Sequence, residues 1–496
     1  MAGPQPSRPV EGAPHGGRTL GSRQLAAMLP DPSGARPAYR HLARAIGTLI
    51  LDGRIALHVR LPAERELAAA LGTSRATVTA VYDLLRASGH AHSRQGAGTW
   101  TALPEGRTPR GVTRALGLPD TAIDLARASL GLPERTLADA LARVAPRVAE
   151  HARTPGYHPY GLPELRAAVA ERFTRRGLAT VPDQILVTAG AQHALTLVLG
   201  LLSAPGDRIA VENPSYPNAL EAMRRARLRT VPVPVADTGW DAGIVESTLR
   251  QAVPQLAYLI PDFHNPTGCL MPDGERARIL RAAQHAGTWL VVDETLTELA
   301  LDVPAPAPFA SHAPPGGTGQ VITVGSMSKT HWAGLRVGWL RAPSRLVTEL
   351  AAQRVASDMG GSVLDQLLAL DLLSGADGGP PPDRLTRLRG QRAALTAALA
   401  EHLPRWTWQL PPGGLSLWVD LGEPVASALA ERVLDYGVRI EGGAYFATDP
   451  GIFEQRLRIP YTAEPDTLRE AVQRMATALA DGLPPSAATR RPHWVA

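Results

Sequence analysis

Short apolar runs alternate with helical patterns along most of this 496-residue chain, from residue 123 to about residue 483. The clearest apolar runs are Ile185–Thr188 and residues 258–261, 289–292 and 321–324. Each run is as long as a buried strand, and each is separated from the next by enough chain for a helix. This alternation is typical of an α/β protein with a mostly parallel sheet, so we predict that fold class for residues 123–483.

The chain contains one lysine, Lys329. Lysine and arginine together number 51, so arginine accounts for 51 − 1 = 50 of them. Arginine is never deprotonated in proteins, whereas lysine can lose its proton and attack a carbonyl carbon. Lys329 follows the apolar run 321–324, with Ser326 and Ser328 just before it and Arg336 after it. We interpret Lys329 as a nucleophile; the alternative is a surface lysine without a function.

Cysteine usage and hydropathy narrow the class of protein. The single cysteine, Cys269, excludes an intramolecular disulfide and fits a reducing cytosol. The longest apolar run, residues 194–202, is far shorter than the roughly 20 residues of a membrane span. The N-terminus lacks the apolar segment of a signal peptide. We therefore expect a cytoplasmic protein, associated with the nucleoid when it binds DNA, and we expect no metal site.

Positive charge is concentrated near the N-terminus. Residues 36–100 contain nine arginines and four acidic residues, which gives 9 − 4 = +5, and the whole chain also carries +5. The remaining residues are therefore close to neutral. Such an asymmetry indicates a nucleic-acid-binding module attached to a neutral body.

The same N-terminal region has the pattern of a winged helix-turn-helix. Residues 64–71 and 75–87 read as two short helices joined by a glycine-containing turn, with Ser74 as the N-cap of the second helix. Residues 90–100 read as a two-stranded hairpin. The second helix of such a motif can enter the major groove of DNA. The alternative is an ordinary helical domain with a solvated basic face.

Three motifs carry a family resemblance. Residues 61–68 read Leu-Pro-Ala-Glu-Arg-Glu-Leu-Ala, residues 71–78 read Leu-Gly-Thr-Ser-Arg-Ala-Thr-Val, and residues 94–99 read Arg-Gln-Gly-Ala-Gly-Thr. This series resembles the winged helix-turn-helix of GntR-type regulators. The resemblance implies DNA contacts at seven positions: Arg65, Ser74, Arg75, Thr77, Thr79, Gln95 and Gly96.

The lysine segment carries a second resemblance. Ser-Met-Ser-Lys at residues 326–329, followed by Gly-Leu-Arg-Val-Gly at residues 334–338, resembles the lysine segment of fold type I pyridoxal-phosphate enzymes. The resemblance implies that Lys329 holds pyridoxal 5'-phosphate as an internal aldimine. It also implies that Ser326 and Arg336 bind the phosphate, with Ser328 in the same site. Hydroxyl donors and a forked guanidinium suit a phosphate dianion.

Further positions match the same superfamily. Gly190, Ala191 and Gln192 form a strand-to-helix turn that resembles the phosphate cradle, although a glycine at such a turn often serves packing alone. Tyr216 matches the aromatic residue that stacks on the pyridine ring, the alternative being a core tyrosine. Asn265, in an Asn-Pro-Thr-Gly turn, matches the residue that donates to the phenolate oxygen.

Two charged residues complete the implied site. Asp293 follows the strand pattern 289–292 and matches the carboxylate that pairs with the pyridinium nitrogen. Arg458 matches the arginine that binds a substrate α-carboxylate, the alternative being a surface strand arginine. The chain departs from the family at Leu296, where a tyrosine is usual three residues after the aspartate.

The order of these parts resembles the MocR subfamily of GntR regulators. The domains that we predict are a tail that is disordered apart from a short helix near residues 23–29 (1–35), a winged helix-turn-helix (36–102), a linker (103–122), an aminotransferase-like domain with a large and a small part (123–485) and a C-terminal tail (486–496). The resemblance implies a homodimeric transcriptional regulator that binds double-stranded promoter DNA. It would sense pyridoxal phosphate or an amino acid or amine that forms an aldimine with it. The alternative is an active aminotransferase with an appended DNA-binding head.

Overall fold

The computed structural model describes residues 18–30, 37–94, 98–103, 122–314, 320–374 and 379–483. It divides into two compact units, residues 1–107 and 108–496, which we call the head and the body. Most of the predicted linker and the whole predicted C-terminal tail lie outside the described residues, as do Gln95 and Gly96. Within the described segments, every helix is too short or too polar to span a bilayer.

The head is a small helical core with a two-stranded antiparallel wing. Leu42, Ile46 and Ile50 lie on one side of the first long helix, and all are fully buried because they recur at helical spacing. The core also takes Val78 and Leu85 from the last helix. The elements are α1 (Ser22–Ala27), α2 (Ala38–Leu51), α3 (Glu64–Leu71), α4 (Arg75–Ala87), β1 (Ala91–Arg94) and β2 (Gly98–Thr101).

Residues 18–30 of the predicted tail are ordered, and the short helix expected near residues 23–29 is present at Ser22–Ala27. Helix α1 places Leu25 in the core of the head at 0% exposure. Thr19 forms a β-bridge with Arg60, and Leu20 N donates to Arg60 O at 2.9 Å. The segment is ordered because it buries an apolar side chain and pairs its backbone; the backbone pairing with Arg60 is a contact that the local sequence does not indicate.

The body contains an eight-stranded sheet in the order β4-β11-β10-β9-β8-β5-β6-β7. Strands β10, β9, β8, β5 and β6 are parallel to their neighbours in that run, whereas β11 is antiparallel to both β10 and β4. The strands are β4 (Ile185–Thr188), β5 (Arg208–Asn213), β6 (Arg229–Ala236), β7 (Gly239–Trp240), β8 (Leu256–Leu259), β9 (Trp289–Asp293), β10 (Val321–Ser326) and β11 (Gly338–Arg341). The predicted mostly parallel α/β fold is confirmed.

Helices cover both faces of this sheet. Leu290 and Val292 of β9 face one apolar cluster, and Val291 between them faces the other, as the alternation of side chains along a strand requires. The helices that pack around this sheet are α5 (Glu134–His151), α6 (Pro163–Arg175), α7 (Ala191–Leu202), α8 (Pro217–Arg225), α9 (Ala242–Ala252), α10 (Asp273–Ala286), α11 (Ser344–Arg354) and α12 (Val363–Leu373).

A smaller C-terminal part has its own core and a four-stranded sheet in the order β12-β13-β16-β15. The first strand of the body, β3 (Ile123–Asp124), pairs in parallel with β14 (Val438–Arg439) of this part, and the two form a separate two-stranded sheet. The other elements are α13 (Pro382–His402), β12 (Thr407–Trp408), β13 (Ser416–Asp420), α14 (Ala426–Arg432), β15 (Glu441–Gly442), β16 (Arg456–Pro460) and α15 (Pro465–Ala480). Side chains from both parts of the body meet beyond the carboxyl ends of β8, β9 and β10.

Candidate cofactor site and nucleic-acid-binding face

Lys329 lies in a single π-helical turn, Ser328–Trp332, just after β10. Its side chain is half-buried, and Nζ donates to Ala128 O at 2.8 Å. Burial and the nearby Arg458 guanidinium lower the pKa of Lys329 to about 8, and Asp293 opposes this shift. The amine therefore loses its proton far more readily than an exposed lysine, as a nucleophile requires.

Asp293 is buried at the carboxyl end of β9. Its Oδ2 accepts from the Tyr258 hydroxyl at 2.6 Å, and its Oδ1 accepts from Thr295 N at 2.9 Å. Burial raises the pKa of Asp293, whereas these two hydrogen bonds lower it. Sequence reasoning missed Tyr258. The parallel pairing of β8 with β9 brings it to the carboxylate, and nothing local marks it as more than a core tyrosine.

The predicted phosphate cradle is a tight turn between β4 and α7. Gly190 has φ +91° and lies directly before the helix that begins at Ala191. Arg336 Nη2 donates to Ala189 O at 2.6 Å, and a Cβ built on Gly190 would lie 3.1 Å from the same Nη2. Glycine is needed there for the positive φ and for this close approach. The helix N-terminus and the guanidinium together form an anion-binding site.

The lysine segment lies against this cradle. A Cβ on Gly338 would lie 2.6 Å from the Cα of Gly190, so the strand after Lys329 passes directly over the turn. Ser326 Oγ and Ser328 Oγ are 2.8 Å apart, and Ser328 N donates to Ser326 Oγ at 3.1 Å. The structure thus brings the turn and the lysine segment together, each with hydroxyl or backbone donors.

Tyr216 and Gln192 are linked through Asn218. The Tyr216 hydroxyl accepts from Asn218 Nδ2 at 2.8 Å, and Gln192 Nε2 donates to Asn218 O at 3.0 Å. Gln192 Oε1 is buried and has no hydrogen-bond partner among the described residues. Burial raises the pKa of Tyr216, whose nearest charges include Asp293, Arg458 and Arg336. Tyr216 therefore lies among the charged groups of the predicted site rather than in an isolated apolar core.

Arg458 is fully buried in β16. Its Nη1 donates to Asn265 Oδ1 at 3.3 Å, its Nη2 donates to Ala126 O, and its guanidinium carbon lies 4.8 Å from the centre of the Phe446 ring. Burial lowers the pKa of Arg458 to about 10, and the neighbouring Glu441 opposes the shift. Its Nε is buried without a hydrogen-bond partner in the part of the chain that is described. The idea that Arg458 is a surface strand arginine is wrong.

The body therefore brings an amine, a buried carboxylate, an aromatic ring and the predicted phosphate turn close to one another. These groups match the aldehyde, pyridine nitrogen, ring face and phosphate of pyridoxal phosphate. The Gly190 turn, whose space a Cβ would fill beside Arg336, is the feature that fits the phosphate best. Leu296 is buried with Phe263 and Leu299, so no hydroxyl replaces the usual tyrosine at that position.

In the head, Arg65, Ser74 and Arg75 are exposed. Ser74 caps α4, since Thr77 N donates to its Oγ at 3.1 Å. Arg75 Nε lies 3.3 Å from Glu64 Oε2, and the Thr79 hydroxyl donates to that same oxygen at 2.9 Å. The exposed residues surround the start of the predicted recognition helix. Their contacts with DNA stay predictions, as do those of Thr77 and the half-buried Thr79.

Comparison with known proteins supports both units. Residues 38–100 match the gntR family of bacterial regulatory proteins, and residues 123–475 match aminotransferase class I and II. The chain is 30% identical to the transcriptional regulator YisV of Bacillus subtilis, covering 80% of this chain and 86% of that one. It is 31% identical to the probable rhizopine catabolism regulatory protein MocR of Rhizobium meliloti, covering 75% and 78%.

A solved structure resembles the body. LysN, the alpha-aminoadipate aminotransferase of Thermus thermophilus, was solved in complex with N-(5'-phosphopyridoxyl)-L-leucine. It superposes with a TM-score of 0.67 at 30% identity, covering 73% of this chain and 93% of LysN. Proteins of this fold bind pyridoxal phosphate, and the residues in the pocket fit that cofactor.

The fold and the two sites define a DNA-binding protein with a winged helix-turn-helix head and an aminotransferase-like body whose cofactor is pyridoxal phosphate. The chain belongs to the MocR-type GntR transcriptional regulators.

Proposed function

We propose that this protein is a homodimeric, cytoplasmic regulator of transcription whose body senses pyridoxal phosphate, or an amino compound that reacts with it, and thereby changes promoter binding. One observation carries the proposal. The only lysine of the chain lies close to Asp293 and Arg458, and its pKa is lowered to about 8. The same chain carries a basic DNA-binding head.

When bound, pyridoxal phosphate supplies an aldehyde that primary amines attack and a ring that withdraws electrons. Lys329 would hold it covalently, and the Gly190 turn with Arg336 and Ser326 would bind its phosphate. Asp293 would hold a proton on the ring nitrogen, because Tyr258 and Thr295 already favour its charged form. Arg458 would contact the incoming amino compound through donors that its present partners leave free.

An exposed apolar patch supports the homodimer. Tyr157 is 67% exposed, Val355 48%, Met359 45% and Leu364 40%. A Cβ on Gly360 would lie 3.0 Å from His158 O, so the segments that contain Met359 and Tyr157 are neighbours. Exposed apolar side chains that lie together on a surface favour burial by another chain. The neighbouring Asp358 lies 3.6 Å from His193, whose Nδ1 accepts from Ala189 N. The patch therefore borders the phosphate turn, and a second copy docked there would lie beside the cofactor site.

The second candidate function is aminotransferase activity. The proximity of Lys329, Asp293 and Arg458 favours aminotransferase activity. Against it, Leu296 in place of the usual tyrosine removes a phenolic donor near the cofactor. Turnover distinguishes the two functions. An enzyme converts excess amino donor and keto acid continuously, and a sensor stops after one equivalent per site.

Two measurements on the full-length protein test the proposal. Borohydride reduction in the presence of pyridoxal phosphate is expected to fix the cofactor to Lys329, as peptide mass spectrometry would detect. Fluorescence anisotropy of a labelled duplex from upstream of the protein's own gene is then measured at fixed salt, because phosphate contacts make affinity salt-dependent.

We expect specific binding over scrambled duplex, and an affinity that changes when the cofactor or an amine is added. Absence of a fixed cofactor would refute the sensing function. Specific binding that no amine or cofactor alters, together with sustained turnover, would favour the enzyme instead.

A further inference from the structure

A buried glutamate lies directly beside the arginine of the pocket. Strands β15 and β16 are antiparallel, and Glu441 is the register partner of Arg458. Residues opposite each other in such a pair project from the same face of the sheet. Glu441 is 3% exposed and Arg458 is 0% exposed. Neither charge is solvated, so each depends on the other and on its remaining neighbours.

The pair is part of a line of alternating charges. Arg439 Nε lies 4.0 Å from Glu441 Oε1, and Arg439 Nη1 lies 3.8 Å from Asp124 Oδ2. The order Arg458, Glu441, Arg439, Asp124 contains two positive and two negative groups and has no net charge when all are ionised. A buried arginine without an anionic partner is strongly unfavourable. When Glu441 is ionised, the chain itself supplies that partner, and a ligand is not required to do so.

We propose that Glu441, when it is ionised, competes with a ligand carboxylate for Arg458, so that with rising pH the site increasingly favours a primary amine without an α-carboxylate over the amino acid with the same side chain. This inference rests on the proposed function, since it assumes that Lys329 carries the cofactor and that Arg458 faces the ligand. It narrows the effector from amino compounds in general to one chemical class.

The competition depends on one proton. Burial raises the pKa of Glu441, Arg458 and Arg439 oppose the shift and Asp124 adds to it, and the resulting pKa is about 8. Tyr445 is the other titratable group beside it, and burial keeps its hydroxyl protonated at these pH values by raising its pKa. Below pH 8 Glu441 is neutral and leaves Arg458 to the ligand. Above pH 8 an amino acid can bind Arg458 only if Glu441 takes up a proton from water.

The preference for the amine should therefore grow with pH. By linkage, carboxylate binding weakens by about tenfold for each pH unit above the pKa of the competing acid. Between pH 6.5 and pH 9 the ratio of amino-acid to amine affinity should fall about tenfold in the wild-type protein. In Glu441→Gln, which mimics the protonated acid, this fall should be absent.

The test uses full-length protein loaded with pyridoxal phosphate. Phenylalanine and 2-phenylethylamine are titrated as one matched pair, and leucine and 3-methylbutylamine as another. Each ligand displaces the cofactor from Lys329, and the amount that borohydride still fixes to Lys329 gives an apparent affinity. Glu464→Gln is the matched control, because Glu464 is exposed and forms a surface ion pair with Arg387. Differences between the ligands' own amine pKa values are the same in all variants and cancel.

We expect the wild-type protein and Glu464→Gln to lose about tenfold in relative affinity for the amino acids between pH 6.5 and 9, and Glu441→Gln to lose none. An equal pH response in all three proteins would overturn the inference. If Glu441→Gln does not fold, proton uptake by the wild-type protein at pH 9 replaces it. Binding of phenylalanine should then be accompanied by the uptake of close to one proton more than binding of 2-phenylethylamine, and an equal uptake refutes the inference.

The proposed function and the inference about Glu441 can fail separately, and the experiments distinguish the two outcomes. A wild-type protein in which borohydride fixes no cofactor refutes the proposed function and this inference together. A loaded protein with an affinity ratio that does not change with pH refutes the inference alone.

Discussion

The head and the body of this chain use the same residue type in opposite ways. The Arg75 side chain in the head is 73% exposed, whereas Arg458 in the body is 0% exposed. Arg75 forms an exposed ion pair with Glu64, which DNA phosphates can replace, and its effect is screened by salt. A buried arginine must be matched by acceptors within the protein, as Arg458 is by Asn265, Ala126 and Glu441.

Exposure, and not residue type, distinguishes an arginine that can contact DNA from one that pairs within the body. With 50 arginines and one lysine, positive charge can serve DNA binding, structural pairing or ligand binding. Only Lys329 has chemistry that no arginine can supply. Substitutions that affect one unit and spare the other would support this separation of functions, and substitutions that affect both would contradict it.

The largest expected effect is that of Lys329→Arg. Positive charge is kept but the free amine is lost, so borohydride should fix no cofactor at this position. Mass spectrometry of the reduced protein measures this directly. DNA affinity without cofactor should remain within about twofold of wild type, because exposed head residues supply the phosphate contacts. A cofactor adduct in this variant would show that another group holds the cofactor.

Next in size is Arg75→Ala. DNA affinity should fall by about tenfold or more at fixed salt. The slope of log affinity against log salt concentration should become shallower by about one for each head. Anisotropy titrations over several salt concentrations measure both. Arg345→Ala is the control, because Arg345 is 93% exposed but lies in the body. Equal losses from both variants would contradict a DNA face confined to the head.

Gly190→Ala should weaken cofactor binding more than it weakens the fold. The new Cβ would sit 3.1 Å from Arg336 Nη2 at φ +91°. Gly206 has a similar φ of +96°, and a Cβ there has nothing within 4 Å. Each alanine carries a backbone strain of about 1–3 kcal/mol. Only Gly190→Ala should also lower cofactor affinity, which cofactor absorbance titrations would report. Equal affinities in the two variants would argue against the phosphate cradle.

The smallest expected effect comes from removing helix caps. Ser74 caps α4 in the head, and Ser362 caps α12 in the body by accepting from Asp365 N at 3.3 Å. Each serine-to-alanine change should cost about 1 kcal/mol. Hydrogen exchange should show the loss in α4 alone for Ser74→Ala and in the body alone for Ser362→Ala. Protection lost in both units by one substitution would mean that they unfold together.

Local features of the fold were predictable from the sequence. The cap at Ser74 and the helix 75–87 were predicted, and the structure has the cap with a helix at Arg75–Ala87. The strand pattern 289–292 corresponds to β9, Trp289–Asp293. These features depend on neighbours along the chain, such as a side chain that accepts from a backbone N–H three residues later.

Contacts between distant residues were not predictable in this way. Tyr258 and Asp293 are 35 residues apart, Lys329 and Ala128 are 201 apart, and Arg458 and Ala126 are 332 apart. Each contact requires the strand order and the register, which no single stretch of sequence contains. The pairing of Glu441 with Arg458 is of the same kind, since it follows from the alignment of β15 with β16.

The lone lysine in its π-helical turn also makes the chain an unusual protease substrate. An endoprotease that cuts only after lysine has one target bond in 496 residues, between Lys329 and Thr330. Thr330 and the next residue, His331, are buried. Cleavage therefore has to wait until this turn opens, and the rate at which two fragments appear would time that opening. A cofactor attached to Lys329 would remove the recognition site itself, so the uncut fraction would count the loaded molecules.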